Sequence, residues 1–218
     1  MKLMKNNILY KIFFIFFFYT LNISWVYSEE FNFKIKELEI LENGNLYKGI
    51  KGGSIETDNG VIINANTFIY NKLTNKVNAK GKVKIEDTIN GYTIFSDEAV
   101  YQRNEEIVTA EGNSRAIDSE NREITADKII YSKTPNTIEA KGKVKIEDTI
   151  NGYTIFSDEA VYQRNEEIVT AEGNSRAIDS ENREITADKI IYSKTPNTIE
   201  AKGKVKIEDT INGYTIFS

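Results

Sequence analysis

From position 77 to 85 the chain reads Val77-Asn78-Ala79-Lys80-Gly81-Lys82-Val83-Lys84-Ile85, with apolar or small residues at the odd positions and polar ones between. A period of two predicts a β-strand with one buried face and one wet face. Residues 138–146 repeat this pattern, and Val108 to Ala116 gives a weaker version with Ser114 and Ala116 on the inner face. A second kind of strand precedes each of these. Its inward residues are Ile63 and Ala65, then Phe68 and Tyr70, and later Ile124 and Ala126, then Ile129 and Tyr131. The parity changes midway, which predicts a bulge or bend that turns the strand. Asn-Gly pairs at 43–44, 59–60, 90–91, 151–152 and 212–213 predict hairpins, because both residues tolerate φ > 0, and Thr134-Pro135-Asn136 predicts another reversal. No helical period is sustained after residue 28, so the fold class is all-β.

These strands recur. Residues 79–139 reappear without a substitution as 140–200, and a third copy begins at 201 and runs to 218. Inside the 61-residue block lies an older period. Tyrosines at 70, 101, 131, 162 and 192 are each followed 11 residues later by a glycine, at 81, 112, 142, 173 and 203, with alanine two before each glycine. A fixed spacing near 30 marks units that bury their apolar faces only against one another. Two architectures fit. One is an open, twisted jelly roll of repeated antiparallel strands; the other is a parallel β-solenoid. The series Lys80, Glu111, Lys141, Glu172, Lys202 would pair charges if equivalent strands were neighbours, whereas Lys84, Arg115, Lys145, Arg176, Lys206 would repel in the same stacking. The Asn-Gly hairpins favour the antiparallel form.

Composition narrows the chemistry. Among 218 residues there is no histidine and no cysteine. Ser-His-Asp and Cys-His catalysis, His/Cys zinc sites and disulfide scaffolds are thereby excluded. The acidic pairs Asp97-Glu98 and Glu105-Glu106 lack the spacing of a calcium loop and are assigned to solvated turns. The repeated tyrosines read as a structural ladder with the hydroxyls near solvent. No catalytic residue, metal ligand or cofactor is expected. At the start, Lys2, Lys5 and Lys11 flank the apolar run Ile12–Tyr19, and Val26-Tyr27-Ser28 closes the segment with a small residue. That order predicts a signal peptide over residues 1–28 and an exported domain over 29–218. Without the three lysines, 25 basic residues face 33 acidic ones, a net charge of −8, which argues against nucleic acid as a partner.

The unit Ile124-Thr125-Ala126-Asp127…Tyr131…Asn136-Thr137-Ile138-Glu139-Ala140-Lys141-Gly142-Lys143-Val144-Lys145-Ile146 resembles the OstA-like repeat of lipopolysaccharide-transport proteins. That repeat is shared by LptA, LptC and the N-terminal periplasmic domain of the assembly protein LptD. The earlier set Ile63-Asn64-Ala65-Asn66…Tyr70…Val77-Asn78-Ala79-Lys80-Gly81-Lys82-Val83 matches as well, and Phe33 to Gly53 looks like opening strands. The resemblance implies an open-sided jelly roll in the periplasm, associated with the outer membrane, whose interior holds lipopolysaccharide acyl chains. It also implies docking edge to edge with other Lpt bridge proteins. Either a short bridge protein or the N-terminal part of an LptD-like protein fits the resemblance.

Read from the residues, the expected lipid-binding groove is Ile63, Phe68, Val77, Val83, Ile85, Ile94, Ile124, Ile129, Ile138, Val144 and Ile146. The segment Tyr214-Thr215-Ile216-Phe217, apolar and free of charge, is the expected edge strand for docking, with other Lpt proteins or with itself by β-augmentation. The competing reading is a structural, self-associating β-repeat protein with a filled core, since apolar strand positions ordinarily make core.

Overall fold

The computed structural model describes residues 31–218; the predicted signal peptide at 1–28 lies outside them. Fifteen strands follow along the described chain. They are β1 (Asn32–Leu41), β2 (Leu46–Glu56), β3 (Val61–Ala65), β4 (Thr67–Asn71), β5 (Lys76–Asp87), β6 (Tyr92–Gln102), β7 (Ile107–Ile117) and β8 (Glu123–Ser132). The rest are β9 (Thr137–Asp148), β10 (Tyr153–Gln163), β11 (Ile168–Asp179), β12 (Arg183–Ser193), β13 (Thr198–Lys202), β14 (Lys206–Asp209) and β15 (Tyr214–Phe217). All belong to one sheet in which spatial order follows chain order. The pairs β3/β4 and β13/β14 are halves of single bent strands: β3 and β4 both lie between β2 and β5, and β13 and β14 both pair with β12.

Every pairing is antiparallel, so the parallel solenoid is corrected. A tyrosine-bearing strand always stands between two glycine-bearing ones, and this resolves the charge series that looked contradictory. Lys80 faces Glu98, Glu111 faces Lys128, Lys141 faces Glu159 and Glu172 faces Lys189 across neighbouring strands. Three of these pairs close to 2.6–2.8 Å on the exposed face, where each contributes at most about 1 kcal/mol. Asp97 and Glu98 therefore sit inside β6, which corrects their assignment from sequence to a solvated turn.

Each full strand slips register near its middle, and the slips line up across the sheet. In β8 the buried parity flips between Ala126 and Ile129 around exposed Asp127. In β5 the buried residues Ala79 and Val83 are instead four apart, and the chain passes the corner with Gly81 at φ 77° and Lys82 at φ 51°. The same corner in β9 shows why glycine is required. A Cβ on Gly142, whose φ is 77°, would lie 2.6 Å from Oδ2 of Asp127 on the adjoining strand.

Bent at every strand, the sheet folds into two walls hinged along the row of corners. The rungs beside the hinge carry most of the small inward residues, Ala79, Ala99 and Ala110 on one wall and Ser96, Ser114 and Ala126 on the other, with Phe68, Ile129 and Ile190 recurring along the first and Val83 and Val144 along the second. The rungs farther out are large. Ile63, Ile85, Ile94, Ile124 and Ile146 lie on one wall, and Val77, Tyr101, Val108, Tyr131 and Ile138 on the other. A wedge narrows toward its vertex, so small-near-hinge and large-near-mouth is the order that fills it.

Most of the Asn-Gly turns do not place both residues at φ > 0. At Asp87–Gly91 only glycine is left-handed, at φ 70°, and its N–H donates to the Asp87 carbonyl at 2.8 Å. The Asp87 carboxylate accepts the next two amides, Ile89 at 2.9 Å and Asn90 at 3.0 Å. That Asx-type arrangement widens the turn and leaves the Asn90 side chain for other bonds. Asp148–Gly152 and Asp209–Gly213 repeat it, while Asn43 and Gly44 are both left-handed, at φ 54° and 89°.

Candidate functional site

The eleven predicted groove residues face one interior. Ile63, Phe68, Val77, Val83, Ile85, Ile94, Ile124, Ile129, Ile138, Val144 and Ile146 are each at most 2% exposed and share a single apolar cluster. Two concavities, of about 500 and 130 Å³, open elsewhere: the larger around Lys145, Thr154, Phe156 and Ile178, the smaller around Glu139, Lys141, Val161 and Glu172. The interior itself is closed to solvent.

What closes it is polar. One row of turns carries Asp58–Gly60, Asp87–Gly91 and Asp118–Arg122, and the opposite row carries Arg103–Glu106, Lys133–Asn136 and Arg164–Glu167. Folding at the hinge brings these rows together along the wedge's mouth. Asn59 donates to the Tyr101 hydroxyl at 3.0 Å and to Glu106 at 2.9 Å, and Arg103 pairs with Asp58. Lys133 Nζ donates to both oxygens of Asp87 at 2.8 Å, Tyr131 donates to the same carboxylate at 2.7 Å, and Asn90 donates to Tyr131 at 2.8 Å. Farther along, Arg164 reaches Ser119 at 2.6 Å and the Asn90 carbonyl, and Lys194 reaches Glu120 at 2.6 Å. Arg122 binds Asp118, Asp148 and the Tyr162 hydroxyl, all buried.

The tyrosine ladder is therefore not a solvent-facing one. Tyr101, Tyr131, Tyr162 and Tyr192 are buried, and their hydroxyls bond within or beside the seam. Glu106, assigned from sequence to a solvated turn, accepts from Asn59 and Thr134. Burial raises the Asp87 carboxyl, but hydrogen bonds from Lys133, the Asn90 amide and Tyr131 outweigh it and hold the group below its ordinary range. Asp148 follows the same balance, with Asn151 and Arg122 as the lowering partners. Burial drives the phenols of Tyr92, Tyr131 and Tyr153 far above their ordinary value and pushes Tyr162 up to about 12.

A phenol whose pKa is raised by folding contributes stability that is complete below the unfolded value near 10 and is lost as pH rises past it. In an alkaline titration followed by phenolate absorbance, these four tyrosines are expected to ionise together with unfolding. Independent ionisation near pH 10 in the folded protein would show instead that the seam is open to water.

Sequence reasoning found the interior and missed the seam. The signal was present in the repeated Asp-Thr-Ile-Asn-Gly, whose aspartate precedes each turn, and in the basic residues at the opposite turns. Nothing in the spacing said that the two rows meet. At the far edge, β15 pairs only with β14, and Tyr214, Ile216 and Phe217 are 46%, 51% and 74% exposed; Thr215 is exposed beside them.

A single antiparallel sheet bent along one line into two apolar-lined walls, with β1 and β15 as its edges among the described residues, is a β-jelly roll of the LptA-like kind. Among solved structures the chain is similar to LptH, the LptA-homologous periplasmic component of the lipopolysaccharide transport device of Pseudomonas aeruginosa, at 11% identity and a TM-score of 0.50. The alignment takes in 97% of that chain and 56% of this one, so the neighbour's whole fold maps onto part of a longer sheet. The TCP10 domain of Danio rerio CPAP, in complex with a STIL peptide, aligns over 87% of this chain and 99% of its own at 12% identity, but its TM-score of 0.18 carries no argument. No family model and no curated relative matches the chain.

Proposed function

We propose that this protein is a periplasmic lipopolysaccharide transport module that holds lipid acyl chains between its two walls. The observation that carries the reading is the interior, a continuous apolar strip running from Ile55 to Ile190, in a fold shared with a component of such a device. An acyl chain offers no polar handle, so its carrier needs continuous apolar surface. Each methylene moved out of water contributes about 0.8 kcal/mol. The export signal expected at 1–28 agrees with a periplasmic place beside the outer membrane. A photo-reactive residue at Val83 or Ile129 is expected to form a lipopolysaccharide adduct; a protein that folds and yields none would remove the reading.

The partners follow from the edges. The exposed backbone of β15, with Tyr214, Thr215, Ile216 and Phe217, is suited to accept a strand from another Lpt bridge protein or a second copy. Thr215→Pro, which removes a backbone donor in that strand, is expected to abolish head-to-tail association in sedimentation velocity. Unchanged association would move the docking surface elsewhere. A structural β-repeat protein is the second reading, and the near-complete burial of the interior rungs favours it. The photo-adduct above separates the two readings, and Ile129→Ala, taken up in the Discussion, measures how tightly the walls mesh.

A further inference from the structure

The seam has two properties that its role as a lid alone does not require. First, among the described residues no backbone–backbone hydrogen bond crosses it. Turn-to-turn bonds such as Lys133 N–H to Glu106 and Arg164 N–H to Asn136 join turns of the same row. Across the mouth the bonds all involve side chains, so the walls separate there without breaking the sheet. Second, the seam is loosest at its β15 end. The Asp87–Lys133 pair is almost fully buried, with the two side chains 1% and 8% exposed. Past it Arg122 still crosses to the Tyr162 hydroxyl with both residues buried, and Arg164 reaches the Asn90 carbonyl and the exposed Ser119; the last crossing, the Lys194–Glu120 pair, is 23% and 44% exposed. Beyond it Asp179 pairs with Arg183 of its own turn, and Asp209 bonds its own Asn212.

The identical blocks show why. Val61 stands opposite Asp87, so that carboxylate takes its cation from across the seam, from Lys133. One block later Arg122 stands in the corresponding place and takes Asp148 from within the same row. Lys194, the counterpart of Lys133, goes instead to Glu120 and Glu167. One sequence thus holds its mouth in two ways: Asp87 takes its cation from across the seam, and Asp148 takes its cation from within its own row. The hydroxyl of Tyr92 is buried at the mouth without a hydrogen-bond partner, so opening hydrates a group that the closed state leaves unsatisfied.

We propose that the seam is the entrance to the trough. It unzips sideways from the β15 end, an acyl chain passes between the separated rows of turns, and the buried contacts of Arg122 with Tyr162 and of Lys133 with Asp87 resist further opening. This rests on the acyl-chain reading above, and names the route into that site.

The test uses the absence of native cysteine. Ser119→Cys with Asn165→Cys places one thiol on each row, where Arg164 already reaches Ser119. Thr149→Cys with Ser180→Cys places both on one row, where a Cβ on Gly152 would touch Ser180. Each pair is bridged with a short bis-maleimide carrying a reducible spacer, and uptake of a fluorescent long-chain fatty acid is titrated before bridging, after bridging and after reduction. Bridging across the seam is expected to weaken uptake by about tenfold or more, reversibly, while the same-row bridge leaves it unchanged. Undiminished uptake by the cross-seam bridge would overturn the lateral route and leave the trough standing. Absence of uptake by the unbridged proteins would overturn the trough, and the route with it.

Discussion

Asp87→Ala is expected to lower the stability of the folded sheet by about 3–5 kcal/mol, the range for removing one partner of a buried ion pair. The carboxylate collects Lys133, Tyr131, the Asn90 side chain and the amides of Ile89 and Asn90. Without it Lys133, only 8% exposed, keeps its charge where water is scarce, and two turn amides lose their acceptor. Lys133→Met is expected to cost less, because Asp87 keeps its remaining donors and the thioether follows the path of the lysine stem. The pH dependence gives a second check. The Asp87 carboxyl lies below its ordinary pKa in the folded state, so its contribution is complete above about pH 4 and fades as pH falls through the folded value. Urea midpoints of the wild type and Asp87→Ala should therefore converge in acid. A loss under about 1 kcal/mol at neutral pH would mean that water already reaches the pair, as it does exposed ones.

Ile129→Ala carries the second large effect. Ile129 is fully buried, and its cross-strand neighbours on the inner rung are Ala110 and Ala140. Truncation would leave three alanines in a row along that rung. The loss is expected in the upper half of the 2–5 kcal/mol range measured for such truncations, about 3–5 kcal/mol. Ile129→Val should cost only about 0.5–1.5 kcal/mol. A loss of about 2 kcal/mol or less for the alanine, in denaturant unfolding, would indicate that the walls do not mesh around this side chain. Transfer of its carbons from water would then be the whole effect. A small loss therefore speaks for a trough with room in it, and a large one for an interior that must open before it admits a chain.

The inward residues were legible because a strand repeats every two positions, so the alternation through Val77, Ala79, Val83 and Ile85 names the buried face whatever lies opposite. The bend in β8 was legible from its parity flip. In β5 it was hidden, because a four-residue step through Gly81 and Lys82 preserves the alternation and only their left-handed φ values betray the corner. The hairpins were placed correctly at each Asn-Gly, but their form was not, since Asp87 and its counterparts take turn amides through their side chains.

Local order along the chain thus determined the strands, their inner faces and their antiparallel succession. These depend on neighbours a few residues away and on turns that join consecutive strands. The mouth was decided only when the sheet closed on itself. Lys133 and Lys194 have the same flanking sequence yet hold different acids, because Val61 stands beside one mouth and Arg122 beside the other. A charge chooses its partner by distance through space, and the bend brings together residues more than forty positions apart that no periodicity in the sequence connects.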